Sequence, residues 1–575
     1  MNRKVLYMLL FFFILFNLIF DFNINNYFNI INLCFSKNII LTTKLYASIC
    51  AIFCLISCFL VIDILLVIYK GKTENKGLKI KKDDKTHGSA NWMNENELEN
   101  ILGTDSTPGI ILGKYNEKIV KLPFDSYFNK NICVFGSSGS MKTIGFLLTN
   151  LLELSKHRKS IIVTDPKGEI YRTTSSYFRA IGYSVKVLNL NDMKHSDRWN
   201  PLAENEDIND VQTSANVIIS NTQRAQTGSA EFWPRAEENL LKAFEFYYLD
   251  KEDNNLTQIY KDIANDELIA LYDKFNGLDK DNPAKMSYNI FASGSDTIKA
   301  SVITGLGTRL QLFQNKDLQR LTEASDIDLT LPAREECIYY IITSDTHSAY
   351  DFIASLFYTF LFTKLVKYAD SKPSGKCDVE VFCFLDEFAN IGQIPDFNKK
   401  ISTVRSRGIA LIPILQNVGQ LKNRYPQDVW QEIIGNCDTR ISMGTTDVLT
   451  AKYFCDSIGV STVETASIRK SASIEGSIEE YGQQNITTMK RNLLNVDEIL
   501  RIPSDKLLVV LRGNKPLLLD KVMYKNHPIS NKLKDSSVLE YIPEYRLQKQ
   551  KDETQNKSEN QNIKNKNNIK GFKYF

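Results

Sequence analysis

Residues 381–387 read Val-Phe-Cys-Phe-Leu-Asp-Glu, five apolar side chains in succession and then two carboxylates. Successive side chains of a strand point to opposite faces, so a strand apolar throughout must be covered on both sides. That is the situation of a parallel strand inside an α/β layer. Runs of the same kind are expected at 131–135, 160–164, 183–188, 337–343, 409–415, 439–443 and 506–512, with helical spacing at 144–154 and 349–368. Strand, helix, strand at this spacing predicts a parallel sheet clothed by helices. Between about 204 and 325 the rhythm stops. Segments such as 236–249 and 259–275 are polar and helical in spacing, which predicts an inserted all-α domain.

Before the sheet begins, two stretches have a different character. Residues 5–20 are apolar except for Asn17, and residues 46–69 carry only one charge, Asp63. A 24-residue helix is about 36 Å long, enough to cross a bilayer with tilt. Arg3 and Lys4 precede the first stretch, and Lys70, Lys72, Lys76, Lys79, Lys81, Lys82 and Lys85 follow the second, whereas only Lys37 and Lys44 lie between them. The positive-inside rule therefore predicts a multi-pass protein of the cell membrane with both termini cytoplasmic. The expected division is a two-helix membrane anchor at 1–70, a linker with N-terminal strands at 71–125, and a nucleotide-binding domain in two parts, 126–203 and 326–546. The all-α domain at 204–325 interrupts it, and a disordered tail rich in Asn, Lys and Gln closes the chain at 547–575. The net charge of +3 over 575 residues gives no basic field over the whole chain, so any nucleic-acid contact must be local. Ten cysteines include no C-x-x-C pair, which fits free thiols in a reducing compartment.

The loop Gly136-Ser137-Ser138-Gly139-Ser140-Met141-Lys142-Thr143 sits between the strand at 131–135 and the helix at 144–154. In that context backbone amides and a helix start cradle phosphates, Lys142 reaches the β- and γ-phosphates of ATP, and the Thr143 hydroxyl holds Mg²⁺. Met141 stands where the strict pattern has glycine, a departure that bears on turnover more than on binding. Taken alone, the loop also reads as an ordinary glycine-rich turn. The second element is the strand end: Asp386 is placed to hold Mg²⁺ and Glu387 to polarise the attacking water, although the pair also reads as an N-cap followed by a helix acid. Arg405 and Arg407 supply cations shortly afterwards, and Gln416 ends the strand at 409–415, where it would sense the γ-phosphate. For substrate contact the candidates are only Arg224, Trp233 and Arg235, with Trp233 equally readable as a core residue.

These pieces resemble a known family. His87-Gly-Ser-Ala-Asn-Trp92, the phosphate loop after Asn131, Asp165-Pro-Lys-Gly-Glu169, Trp199-Asn-Pro-Leu202, Phe232-Trp233, Leu385-Asp-Glu-Phe-Ala-Asn-Ile-Gly392, Ile394-Pro395, Arg405-Ser-Arg407 and Gln416 follow one another as in the type IV secretion coupling proteins. These are the membrane ATPases of conjugative DNA transfer, and the variant resembled is the one common in Gram-positive mobile elements. The resemblance implies a RecA-like P-loop domain with an inserted all-α domain behind two transmembrane helices, assembled as a homo-hexamer. It further implies that Arg405 reaches a neighbouring subunit's ATP as an arginine finger, and that relaxase and single-stranded DNA are delivered to type IV secretion channel proteins. Two rivals use the same parts: a secretion ATPase for protein effectors, and a docking receptor that binds nucleotide with little hydrolysis.

Overall fold

In a computed structural model of the chain, the described residues are 79–80, 85–222, 232–265, 268–344, 348–469 and 483–549. The apolar stretches at 5–20 and 46–69 and the tail beyond 549 lie outside them, and so does Arg224. The described residues from Ile80 onward form one compact unit.

Its strands are β1 (Gly103–Thr104), β2 (Gly109–Tyr115), β3 (Lys118–Pro123), β4 (Ile132–Phe135), β5 (Ser160–Thr164), β6 (Ser184–Asn189), β7 (Cys337–Ile342), β8 (Val381–Leu385), β9 (Ile409–Leu415), β10 (Thr439–Ser442), β11 (Val460–Arg469), β12 (Gln483–Asn492), β13 (Lys506–Leu511) and β14 (Leu517–Asp520). All but β11 and β12 join one 12-stranded sheet, in the order β1-β3-β2-β14-β13-β10-β4-β9-β8-β5-β7-β6. From β10 to β6 every neighbouring pair is parallel. From β10 outward to β1 the pairs are antiparallel. The sheet is therefore mixed.

The inner parallel strands β4, β9, β8, β5 and β7 are buried at every position, whereas the edge strand β6 is buried only over its last three residues. Their side chains alternate between two cores: Val381, Cys383 and Leu385 face one, Phe382 and Phe384 the other. This explains why the sequence shows unbroken apolar runs rather than alternation. Fully burying each such side chain contributes about 1.5–3 kcal/mol.

Between β6 and β7 the described residues from 208 to 321 form helices joined by turns, with no strand among them: α1 (Ile208–Asn221), α2 (Phe232–Tyr248), α3 (Leu256–Asn265), α4 (Leu268–Asn276), α5 (Pro283–Ala292), α6 (Asp296–Leu310) and α7 (Lys316–Leu321), with a short 3₁₀ turn at Gln311–Gln314. The helical stretch expected at 259–275 is helical over its described residues, in α3 and α4. After β7 comes α8 (Asp351–Ser371), the one helix among the described residues long and apolar enough to cross a membrane. Most of it is buried among the core side chains of the sheet domain, including Phe352, Phe357 and Leu361. Its apolarity serves the core.

Two features were not legible. Strands β11 and β12 form a long antiparallel hairpin paired from Val460↔Asn492 to Arg469↔Gln483. Polar residues outnumber apolar ones in both strands, so neither carries a buried-strand pattern. Residues 547–549, expected in the tail, continue a helical turn that begins at 544.

Candidate nucleotide site

At the C-terminal end of β4 the chain turns through residues 136–142 into a π-helical turn, Thr143–Leu147, which runs on as a helix, Leu148–Lys156. The loop is tied to its neighbours from the first residue: the Gly136 amide donates to the Leu415 carbonyl (2.9 Å) and the Ser137 amide to the Gly444 carbonyl (3.1 Å). A Cβ on Gly136 would lie 2.3 Å from Ser140 Oγ and 3.0 Å from Lys142 Cγ, so a side chain there would displace the Ser140 hydroxyl and press on the Lys142 stem. Gly139 and Met141 both adopt left-handed backbone, with φ of +77° and +66°. The second is the position where the strict motif has glycine. The loop therefore keeps the motif's shape with a different residue, at a backbone cost of about 1–2 kcal/mol.

Lys142 is 8% exposed; its Nζ donates to the Gly136 carbonyl (2.7 Å) and lies 3.6 Å from Glu387 Oε1. The loop lysine and the strand-end acid, some 240 positions apart in sequence, thus face one another across a single cleft. Asp386, which directly follows β8, is buried and accepts a hydrogen bond from the Glu387 amide (3.0 Å). Burial, then repulsion from Glu387, pushes its carboxyl up to about 7 against the pull of Lys142. Glu387 itself takes left-handed backbone (φ +49°). Backbone strain of this kind concentrates at functional positions.

Asp165 completes the acid cluster. Strands β5 and β8 pair with Val163 opposite Phe384, so Asp165 and Asp386 leave adjacent strands at the same level. Asp165 Oδ2 accepts from the Tyr171 amide (2.8 Å), whereas the buried Oδ1 has no partner. Burial raises this carboxyl to about 6. Sequence reasoning singled out the Asp165–Glu169 segment without giving it a role. The signal was present: a carboxylate ending a wholly apolar strand, as at Asp386.

A cleft of about 500 Å³ unites Ser137, Ser138, Gly139, Ser140, Met141, Lys142, Thr143, Asp165, Glu169, Asp386, Glu387, Asn390 and Gln416. Gln416 follows β9, and its Oε1 accepts from Gln420 Nε2 (3.3 Å). Two buried carboxyls held above their usual range, an orphaned carboxylate oxygen and an unpartnered Ser140 hydroxyl fit a divalent cation bound beside phosphates.

Arg405 stands apart. It precedes β9 in the turn Val404–Arg407, donates from Nη2 to the Tyr127 carbonyl (2.7 Å) and lies 6.0 Å from the Tyr127 ring. The seven residues of β9 separate it from Gln416, roughly 23 Å along the strand, so it does not join the cleft of its own chain. Arg407 is engaged by Asp370 at 2.7 Å. Trp233 is 39% exposed and edges the Phe232 ring at 5.2 Å, which places it at the surface rather than in the core.

Residues 82–567 match the family model described as type IV secretory system conjugative DNA transfer. The conjugal transfer protein TraG of Escherichia coli is 22% identical over 477 residues, 74% of this chain and 73% of that protein. Protein VirD4 of Agrobacterium fabrum strain C58 is 23% identical over 454 residues, 76% of this chain and 66% of that protein. Among solved structures, the unbound bacterial conjugative coupling protein TrwBdeltaN70 aligns with a TM-score of 0.58 at 16% identity, covering 75% of this chain and 92% of that one. The plasmid coupling protein TrwB in complex with ADP and Mg²⁺ aligns at 0.57 and 16%, covering 76% and 94%. At that identity the structural likeness is one of fold. The family match is to the family as a whole rather than to a Gram-positive branch. This chain belongs to the type IV secretory system conjugative DNA transfer family.

Proposed function

We propose that this chain is a membrane-anchored P-loop ATPase that couples relaxase-bound single-stranded DNA to a type IV secretion channel and drives its transfer. The observation that carries the reading is the meeting of Lys142 with the Asp386–Glu387 pair in a cleft walled by the loop amides. The loop's geometry supports it despite Met141, and the nucleotide complexes of the structural relative TrwB agree with ATP and Mg²⁺ as ligands.

In this reading the substrate triphosphate takes over Lys142 from the Gly136 carbonyl and Glu387. The loop amides of 136–143 orient the β- and γ-phosphates. Glu387, relieved of the lysine, polarises the attacking water and accepts its proton. Gln416 monitors the γ-phosphate from the tip of β9. Thr143 and Asp386, with Asp165 behind, would hold Mg²⁺, which neutralises charge developing on the phosphates. Arg405, remote from its own cleft, serves the cleft of the next copy in a ring, the arrangement a homo-hexamer requires. The stretches at 5–20 and 46–69 anchor the ring with both termini cytoplasmic, residues 204–325 form the all-α domain, and 126–203 with 326–546 form the motor.

ATP turnover of the full chain, with and without single-stranded DNA, tests the reading. DNA-stimulated hydrolysis that disappears in Lys142→Ala supports it. Turnover absent under both conditions, in the wild type and in Met141→Gly, overturns it.

A further inference from the structure

Behind the phosphate loop lies a lysine that neither the motif nor the reading above uses. Lys521 directly follows β14 and is 8% exposed. Its Nζ donates to three carbonyls: Ser504 (2.7 Å), Met443 (2.8 Å) and Ser140 (3.0 Å). All three ammonium protons are thereby used, and the Lys521 amide is bound as well, to the Asp505 carbonyl (2.7 Å). Among these acceptors Ser140 is the informative one. It belongs to the phosphate loop, and its carbonyl is half of the peptide unit that leads into Met141. Rotation of that peptide about the N–Cα bond of Met141 is the φ angle that stands at +66°.

The surroundings reinforce the hold. Down the helix that follows the loop, positions four residues apart meet the segment after Lys521. A Cβ on Gly145 would lie 3.3 Å from Met443 Cε and 3.9 Å from Lys521 Cβ. Thr149 Oγ1 donates to the Val522 carbonyl (2.8 Å). Glu153, buried, accepts from Lys121 at 2.8 Å and meets His527 Nε2 at 3.0 Å. Residues 521–527 therefore run as a brace along the phosphate-loop helix, and Lys521 is the point at which the brace touches the loop.

We propose that Lys521 is a positioning residue for the nucleotide. Its ammonium fixes the Ser140 carbonyl and so keeps Met141 in the left-handed conformation from which the loop amides and Lys142 face the phosphates. Glycine at position 141 would adopt that conformation without help. Methionine is strained there, and the buried lysine holds the peptide against that strain. This inference rests on the nucleotide reading above. It predicts an interaction between Lys521 and position 141 that a merely structural lysine would not show.

The test is a double-mutant cycle on the full chain: wild type, Lys521→Met, Met141→Gly and the double variant. Binding of a fluorescent ATP analogue, KM and kcat are read for each, with a thermal melt as control. Losing a hydrogen bond from a charged donor corresponds to about a tenfold to hundredfold change. Lys521→Met is accordingly expected to raise the dissociation constant and KM about tenfold or more when Met141 is present, with kcat changed less. In the Met141→Gly background the same change is expected to cost less than about threefold. Equal losses in both backgrounds, or wild-type affinity in Lys521→Met, overturn the inference while leaving the ATPase reading intact. A wild type that binds no nucleotide overturns both. Should Lys521→Met fail to fold, Lys521→Arg retains the charge, but its planar fork does not place three donors on three carbonyls from one atom. The same inequality between backgrounds is then expected, and equality again refutes.

Discussion

Asp386 is the residue whose replacement separates function from stability most sharply. Its carboxyl stands at about 7 in the fold, against an ordinary 3.8, because burial and Glu387 both disfavour the charge. A raised acid binds its proton more tightly folded than unfolded. Folding therefore bears a penalty that is absent below about pH 4, grows as pH rises, and is fully developed above about pH 7. At 1.36 kcal/mol per pH unit, the distance from the ordinary value amounts to about 4 kcal/mol at the alkaline end. The asparagine of Asp386→Asn would keep the acceptor for the Glu387 amide without the charge, at a constant desolvation cost of about 1–2 kcal/mol. The variant should thus gain on the wild type by about 2–3 kcal/mol between pH 5 and pH 8, whatever that constant is. For a unit of roughly 500 residues, 1 kcal/mol moves the melting temperature by about 1 °C. The assay is the difference in melting temperature between variant and wild type, without nucleotide, at pH 5, 6, 7 and 8. The gap should widen by about 2–3 °C toward pH 8 in favour of the variant. The variant should also lose Mg²⁺-dependent turnover. A gap that is flat with pH, or one that widens in favour of the wild type, would show that the carboxylate is ionised and well paired, and the reasoning would fail.

Other consequences are more direct. Lys142→Ala should weaken triphosphate binding by about a hundredfold or more, since a buried charge-assisted contact is lost, and equilibrium titration measures it. Affinity for Mg²⁺–nucleotide should rise from pH 6 to pH 8, because the cation requires Asp165 and Asp386 ionised and they stand at about 6 and about 7. Calorimetry in buffers of different ionisation enthalpy should detect proton release on binding at pH 6.5, and no release would count against the acid cluster as the metal's seat. Arg405→Ala chains and Lys142→Ala chains, each inactive alone, should recover partial turnover when mixed, because a Lys142→Ala chain supplies the arginine that the cleft of an Arg405→Ala neighbour lacks. Failure of all mixtures would place Arg405 outside the reaction.

The central sheet was legible because parallel strands buried on both faces leave unbroken apolar runs, and β5 and β9 begin and end where the sequence put them. The antiparallel flank was harder to read. Strand β14 has only four residues, and the β11–β12 hairpin is too polar to announce itself. In the cleft, the loop and the Asp386–Glu387 pair were found because each combines a distinctive residue set with a strand end. Asp165 escaped a role because one carboxylate after one strand is common until pairing shows that its neighbour ends in another. Lys521 could not have been found at all: its function, as inferred, lies in three carbonyl contacts from segments far apart in sequence, and no spacing records them.

The motor reading requires one triphosphate to be held between residues 136–143 and 386–387. A structure of the chain with Mg²⁺ and a non-hydrolysable ATP analogue examines this most directly. The γ-phosphate should lie within hydrogen-bond distance of Lys142 Nζ, with the metal between Thr143 and Asp386 and the Gly136 carbonyl released. Phosphates bound elsewhere, with Lys142 still on Gly136 and no metal near Asp386, would contradict it.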